Sequence, residues 1–328
     1  AMIKVRELSK AYQTYKKESG FWGSIKGLIH RKYETTEAVR KISFDIEEGE
    51  LVGFMGPNGA GKTTTLKMLS GLLYPSSGSV NVLGYKPCER QDAYRRQFAL
   101  LLGQKNQLWW DLPARESFAL NAKIYGIADS QRQKTVNEMS EMLQVADKLD
   151  IMVRELSLGE RMKMELIASL IHQPKILFLD EPTIGLDIVS QKTVRDFLKD
   201  LNKTKKTTII LTSHYMADIQ ELCKRVLIID HGKLFYDGEL QGILDQFADE
   251  KRINVLFEDP SMPLPEKCKS IGLVESFADG KLQIRVKRKA VIQASKDLLD
   301  MLPVADLNIE EVPIEEIIRQ IYAESNSV

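Results

Sequence analysis

The chain has 328 residues, 43% of them hydrophobic and 28% charged, which excludes a disordered chain and a single small domain. At about 100–200 residues per domain, it accommodates two domains, or one with a sizeable insertion. The 46 basic residues balance 46 acidic ones, so no overall field recruits nucleic acid or anionic lipid, and binding to either would need a local patch.

Cys88, Cys223 and Cys268 stand far apart with no C-x-x-C pair, which suggests neither a disulfide framework nor a thiolate zinc site and fits a reducing compartment. No run approaches the ~20 apolar residues that a membrane-spanning helix needs. The first residues read as a strand and not as a signal segment, so a role at a membrane would require a partner to provide the span.

In chain order, Ile3 to Leu8 alternate as a strand does, and Ala38 to Ile46 do the same. Between them, residues 13–37 place Phe21, Trp22, Ile25, Leu28 and Ile29 among Lys16, Lys17, Lys26, Arg31 and Lys32. This pattern predicts a short basic amphipathic helix, either folded onto its own domain or touching a membrane or a membrane partner.

After the turn at Glu47, Glu48 and Gly49, the run Leu51–Met55 reads as a buried strand, and Gly56 to Thr63 then fits G-x-x-x-x-G-K-[ST] ahead of a helix. That is a phosphate-binding loop. Gly56, Gly59 and Gly61 let backbone N–H groups approach phosphate oxygens, the helix start adds a positive dipole, Lys62 supplies a charge, and Thr63 offers a hydroxyl to Mg²⁺.

Residues 71–87 are turn-rich and then strand-like; from Glu89 to Val145 the texture is polar and helical. Apolar runs return at Lys175 to Asp180, Thr208 to Thr212 and Arg225 to Ile229, each typical of a strand buried on both faces of a parallel sheet. Strands alternating with helices predict a doubly wound α/β sheet. From about Asp245 the pattern predicts a small α+β unit: strands in INVLF, KLQIRV and VADLNI, and amphipathic helices over residues 290–302 and 313–323. That unit carries no phosphate loop, metal cluster or catalytic pair.

The run Ile176 to Asp180 ends in a carboxylate followed by Glu181. An acid at the carboxyl end of a buried strand beside a phosphate loop is placed to hold Mg²⁺, and a second one just beyond can polarise an attacking water.

With these residues in view, the chain from Ile3 to about Gly242 resembles the nucleotide-binding subunits of ABC transporters. Four motifs carry the resemblance in the family's order: GPNGAGKT at Gly56–Thr63, LSLGE at Leu156–Glu160, ILFLDEPTIGLD at Ile176–Asp187, and LTSH ending at His214. It implies a P-loop NTPase in residues 1–245, with a RecA-like core, an antiparallel β subdomain and a helical subdomain over about 88–172. Residues 246–328 would form the small C-terminal domain.

The resemblance further implies that ATP and Mg²⁺ bind at Gly56, Pro57, Asn58, Gly59, Ala60, Gly61, Lys62, Thr63 and Thr64. It makes Gln104 the residue that touches metal and attacking water, Asp180 a metal residue, Glu181 the water-orienting base, Asp187 a communicator across a dimer, and His214 a contact to the γ-phosphate. Ser157 and Gly159 would face the ATP of a second chain, and the same stretch reads independently as a helix capping box, Ser157 to Glu160. LSLGE departs from the family's LSGGQ at Leu158 and Glu160. For the adenine ring, Tyr12 is favoured over Tyr33.

The insertion, the form of the motifs and the small C-terminal domain resemble the ATPases of bacterial exporters for drugs, antibiotics or polysaccharides. The implied partners are an integral membrane permease and a second copy or a homologous ATPase subunit, at the cytoplasmic face of the membrane, with no nucleic acid. Trp109 and Trp110 would lie either near the groove for the permease or inside the helical layer. Alternatives are a soluble ABC ATPase of translation or DNA maintenance, a regulatory subunit with little hydrolysis, and an importer subunit, which the short tail fits poorly.

Overall fold

The computed structural model describes residues 1–15, 33–103, 107–213, 215–246 and 249–325. The chain divides into two compact units, Ala1–Gly238 and Glu239–Val328.

In the first unit, β1 (Ile3–Tyr15), β2 (Tyr33–Ile46) and β4 (Ser77–Val82) form an antiparallel sheet in the order β2-β1-β4. The second sheet joins β3 (Leu51–Met55), β5 (Phe98–Leu102), β6 (Ile176–Asp180), β7 (Thr208–Thr212), β8 (Arg225–Asp230) and β9 (Lys233–Glu239), in the order β5-β6-β7-β3-β8-β9. The pairs from β5 through β8 are parallel. At its edge β9 returns through His231 and Gly232, whose φ values of 44° and 78° are those of a two-residue hairpin turn.

This sheet aligns the functional strand ends. Leu102, Asp180 and Thr212 stand in register across β5, β6 and β7, and Thr212 pairs in turn with Phe54 of β3. Ligands of open α/β sheets bind outside such carboxyl ends. The helix Lys62–Leu69 leaves the end of β3 and is buried through Leu66 and Leu69 in a core shared by Ile3, Ile42 and Phe44 of the antiparallel sheet and Phe178 and Leu227 of the parallel one. Each such side chain contributes about 1.5–3 kcal/mol of burial, so the phosphate loop is mounted on a fully buried core.

Three helices, Ala114–Tyr125, Asp129–Met142 and Leu158–Leu170, form the helical layer. Within the stretch expected to be helical, residues 98–102 are instead β5, the edge strand of the parallel sheet. Five residues are too few to show a period against polar neighbours, but FALLL pairs fully along β6. The strands flanking the insertion also run further than alternation at Ile3–Leu8 and Ala38–Ile46 predicts. Tyr12, Gln13, Thr14 and Tyr15 pair with Thr36, Thr35, Glu34 and Tyr33, among which the Tyr and Thr residues favour strands, so residues 13–15 and 33–37 are strand and not helix. The expected amphipathic helix otherwise lies outside the described residues.

In the second unit, β10 (Glu250–Phe257), β11 (Leu273–Ala278), β12 (Lys281–Lys287) and β13 (Val304–Glu311) form an antiparallel sheet ordered β11-β12-β10-β13. The helix Val291–Met301 packs on it through Val291, Ala294 and Leu298. Strand β11, absent from the sequence reading, is joined to β12 by Asp279 and Gly280 at φ 51° and 71°, the dipeptide that favours a tight hairpin. On it, Glu275 binds both Arg252 of β10 and Arg285 of β12, a nearly buried ionic triad.

Candidate nucleotide site

The phosphate loop curls between β3 and the helix Lys62–Leu69 because two glycines sit where no side chain fits. A Cβ on Gly56 would lie 2.2 Å from the carbonyl of Ile229, and one on Gly61, at φ 109°, would lie 2.5 Å from that of Ala38. The Lys62 ammonium folds back and donates to the carbonyls of Gly56 at 2.6 Å and Pro57 at 3.0 Å. Burial lowers its pKa from the usual lysine value, and the charges of Glu181 and Asp180 push it back up.

Thr63 and Thr212 converge on Asp180. Thr63 Oγ1 donates to Asp180 Oδ2 at 2.8 Å, and Thr212 Oγ1 donates to Asp180 Oδ1 at 2.7 Å. The Thr212 hydroxyl also accepts from the Glu181 N–H at 3.1 Å. Glu181 takes a left-handed backbone, φ 55°, the kind of local strain that persists where the surroundings over-determine it.

A cavity of about 540 Å³ opens over these groups, lined by Asn58, Gly59, Gly61, Lys62, Thr63 and Thr64 on one side and by Leu102, Gly103, Asp180 and Glu181 on the other. Its donor set, a hydroxyl beside a carboxylate, is the hard-oxygen chemistry that Mg²⁺ takes together with phosphate oxygens. Among the described residues no group of three His, Cys, Asp or Glu forms an all-protein metal site.

Gly103 closes this wall: its N–H donates to the Asp180 carbonyl at 2.9 Å, and a Cβ there would lie 2.8 Å from the Glu181 carbonyl. Gln104, the next residue, lies outside the described residues, as does His214. Ser213, which precedes His214, donates to Asp218 at 2.6 Å, and Thr183 hydrogen-bonds the same buried carboxylate, which Arg195 neutralises at 2.9 Å. The chain beyond Glu181 and the chain before His214 are therefore tied to one buried acid.

The helix Leu158–Leu170 begins with the expected capping box: Ser157 Oγ accepts from the Glu160 N–H at 3.2 Å, and Glu160 Oε2 accepts from the Ser157 N–H at 2.9 Å. Ser157 is exposed, but Gly159 is buried, and a Cβ on it would lie 2.5 Å from Ser190 Oγ. Leu158 folds over Gly185, its Cδ2 3.0 Å from where a Cβ would stand. Asp187 caps the helix Ile188–Lys205 by accepting from the Val189 and Ser190 N–H groups, and those bonds, led by one from the Ser190 hydroxyl, hold its pKa below the usual carboxylate value. None of Ser157, Gly159 and Asp187 lines the cavity.

Tyr12 is exposed on β1, with the Lys10 ammonium 5.4 Å from its ring centre, and it is likewise outside the cavity lining. The side chain of Tyr33 lies outside the described residues. Trp109 and Trp110 are both exposed, the latter facing the Arg161 guanidinium at 5.1 Å. His172 is half-buried, stacked on Tyr125 at 4.0 Å and bonded to the Phe98 carbonyl at 2.9 Å. Burial lowers its pKa, as expected of a packing histidine.

Sequence reasoning missed Thr212 and Gly103. Thr212 ends a buried run in the next strand over from Asp180, which is its signal; Gly103 follows β5, which was itself not recognised.

With the geometry in place, comparison with known proteins decides the family. Residues 39–184 match the ABC transporter family model, and residues 249–310 match the C-terminal domain of EvrA-like ABC transporters. The chain is 34% identical over 226 residues to the ABC transporter ATP-binding protein NatA of Bacillus subtilis, covering 69% of this chain and 91% of that protein. The chain belongs to the ABC transporter ATP-binding proteins.

Further similar proteins are the linearmycin resistance ATP-binding protein LnrL of Bacillus subtilis, 30% identical over 79% of this chain and 82% of that one, and the Nod factor export ATP-binding protein I of Burkholderia thailandensis, 32% identical over 71% and 76%. Among solved structures, a dimeric post-hydrolysis ATP-binding cassette bound to ADP and Pi superposes with TM-score 0.61 at 24% identity, covering 73% of this chain and 99% of that one. That likeness is one of fold, and the fold is the P-loop NTPase with its separate antiparallel sheet. As an ABC ATP-binding protein the chain is an ATPase subunit, and none of its described helices is long and apolar enough to cross a membrane.

Proposed function

We propose that this chain powers an exporter, binding and hydrolysing ATP between two nucleotide-binding subunits attached to a membrane permease at the cytoplasmic face. The observation that carries the reading is the incompleteness of the cavity: phosphate loop, Asp180 and Glu181 line it, whereas Ser157, an exposed residue at a capped helix start, does not. A second copy, or a homologous subunit, would supply Ser157 to this chain's ATP and receive the same in return, with Asp187 beside the junction. The names of LnrL and the Nod factor export protein support export as the direction.

In this reading the loop N–H groups from Gly56 to Thr64 hold the phosphates, and Lys62 exchanges its two carbonyl partners for phosphate oxygens. The exposed ring of Tyr12 is the surface offered to adenine. Thr63, Asp180 and Gln104 would hold Mg²⁺, which when bound screens charge on the phosphate oxygens. Glu181 orients a water and draws off its proton as the water oxygen bonds to the γ-phosphorus; the bond to the bridging oxygen breaks, its electron pair leaving with ADP. Lys62 and His214 stabilise the charge on the transferred group.

Glu181→Gln tests this. The variant is expected to bind ATP, lose turnover by about 10²-fold or more, and accumulate an ATP-bound dimer by light scattering. Wild-type turnover in that variant would remove Glu181 as the base, and an ATP-loaded chain that stays monomeric at high concentration would remove the shared site.

A further inference from the structure

The helix Leu158–Leu170 carries one carboxylate deep in its buried face. Glu165 is 3% exposed, and its side chain is taken up by main-chain donors: the Gln107 N–H lies 3.0 Å from both carboxylate oxygens, and the Leu108 N–H lies 3.3 Å from Oε1. Burial raises its pKa while these two N–H groups pull it back down. A carboxylate there meets a need that no apolar residue could, since Leu108 is itself buried and its N–H would lose this acceptor.

The captured residues follow Gln104 by three and four positions. Gly103, on the near side, is fastened to the Asp180 carbonyl. Gln107, on the far side, is fastened through its main chain to Glu165 and through Nε2 to the Leu100 carbonyl at 2.8 Å. Downstream, Trp110 faces Arg161, one turn above Ser157 on the same helix.

We propose that Glu165 is a positioning residue: its carboxylate clamps the chain at Gln107 and Leu108 to the helix that begins at Ser157, so that a displacement at Trp109 and Trp110 moves that helix start with it. The two segments behave as one body and not as two neighbours. The consequence for turnover rests on the reading of Gln104 as a residue that acts on metal and water.

The test uses the full chain, with amide hydrogen exchange at Gln107 and Leu108 and steady-state ATP hydrolysis. Glu165→Leu is expected to speed exchange at those two amides at least tenfold and to lower kcat about tenfold with KM for ATP within twofold, because the phosphate loop is untouched. Glu165→Gln, which retains an accepting oxygen, is expected to recover most of both. Unchanged exchange at the two amides, kcat within twofold of wild type, or a fall in kcat matched by a rise in KM and faster exchange throughout Leu158–Leu170 would each overturn the proposal. Should Glu165→Leu fail to fold, Glu165→Asp, which withdraws the carboxylate by one methylene, must lower kcat at constant KM; wild-type kcat there overturns it too. Gln104→Ala separates the two readings: wild-type turnover in that variant sinks the assignment of Gln104, while the exchange measurement still judges the clamp.

Discussion

Thr63 and Asp180, 117 residues apart, are joined by a 2.8 Å hydrogen bond that spans from the phosphate-loop helix to the end of β6. The bond places a hydroxyl and a carboxylate oxygen side by side, as suits a hard cation that also takes phosphate oxygens and water. Thr212 occupies the other carboxylate oxygen, so the orientation of Asp180 is fixed before any ligand binds.

Asp180→Asn therefore keeps the shape of this contact and removes its charge. The wild-type chain is expected to bind ATP about tenfold or more tightly with Mg²⁺ than with a chelator, and the variant to show less than about a twofold gain, a loss of at least ~1 kcal/mol of metal-dependent binding. Calorimetric titration with and without Mg²⁺ measures this. An equal gain in both proteins would remove Asp180 from the metal.

The phosphate loop, the three strands ending in Asp180, Thr212 and Ile229 and the capping box at Ser157 were legible because each is written in a contiguous stretch with its own period or spacing. What was not legible depended on partners distant in the chain. FALLL at β5 becomes a strand only through its pairing along β6, and Tyr12 to Tyr15 only through their register with Tyr33 to Thr36. Glu165 had a signal, a carboxylate on a helix face that it shares with Met162, Ala168 and Ser169, but its acceptor role is invisible until the chain at Gln107 is brought beside it. The comparison also narrows Gly159: a motif glycine read for its approach to a second chain is already required within its own chain by Ser190.

Lys62 gives the site an alkaline limit. Its folded pKa is below the ordinary 10.5, so on raising the pH it loses its proton earlier than a free lysine, and the attraction to phosphate goes with it. Between those two pKa values the unfolded chain binds the proton more readily than the folded one, so this group makes the fold more stable as pH rises through that window. Weaker ATP binding there is thus a loss of charge at Lys62 and not its contribution to unfolding. Glu181 is one of the two charges that hold the pKa up, so in Glu181→Gln the alkaline fall in ATP affinity is expected at lower pH than in the wild type. Affinities measured from pH 7 to pH 10 in both proteins check this, and coincident curves would mean that Glu181 does not act on Lys62.

Gly159→Ala sets two effects against each other. The helix-interior preference for alanine over glycine, about 0.5–1 kcal/mol, is an upper bound at this second residue of the helix, and here the added Cβ would stand 2.5 Å from Ser190 Oγ and 2.9 Å from Ser190 Cβ. Overpacking of that kind costs about 1–3 kcal/mol and is relieved by moving the helix start, so the clash outweighs the propensity. The variant is expected to melt earlier and, in the Glu181→Gln background, to lose most of its ATP-bound dimer while each chain still binds ATP. Adding Ser190→Gly removes both clashing atoms and is expected to restore the dimer; Ser190→Ala, which leaves the Cβ at 2.9 Å, restores it only in part. Light scattering of the three variants with ATP reads the outcome. A dimer that stays lost after Ser190→Gly would mean that the hydrogen on Gly159 is needed by the second chain, and that the contact with Ser190 is not what demands a glycine.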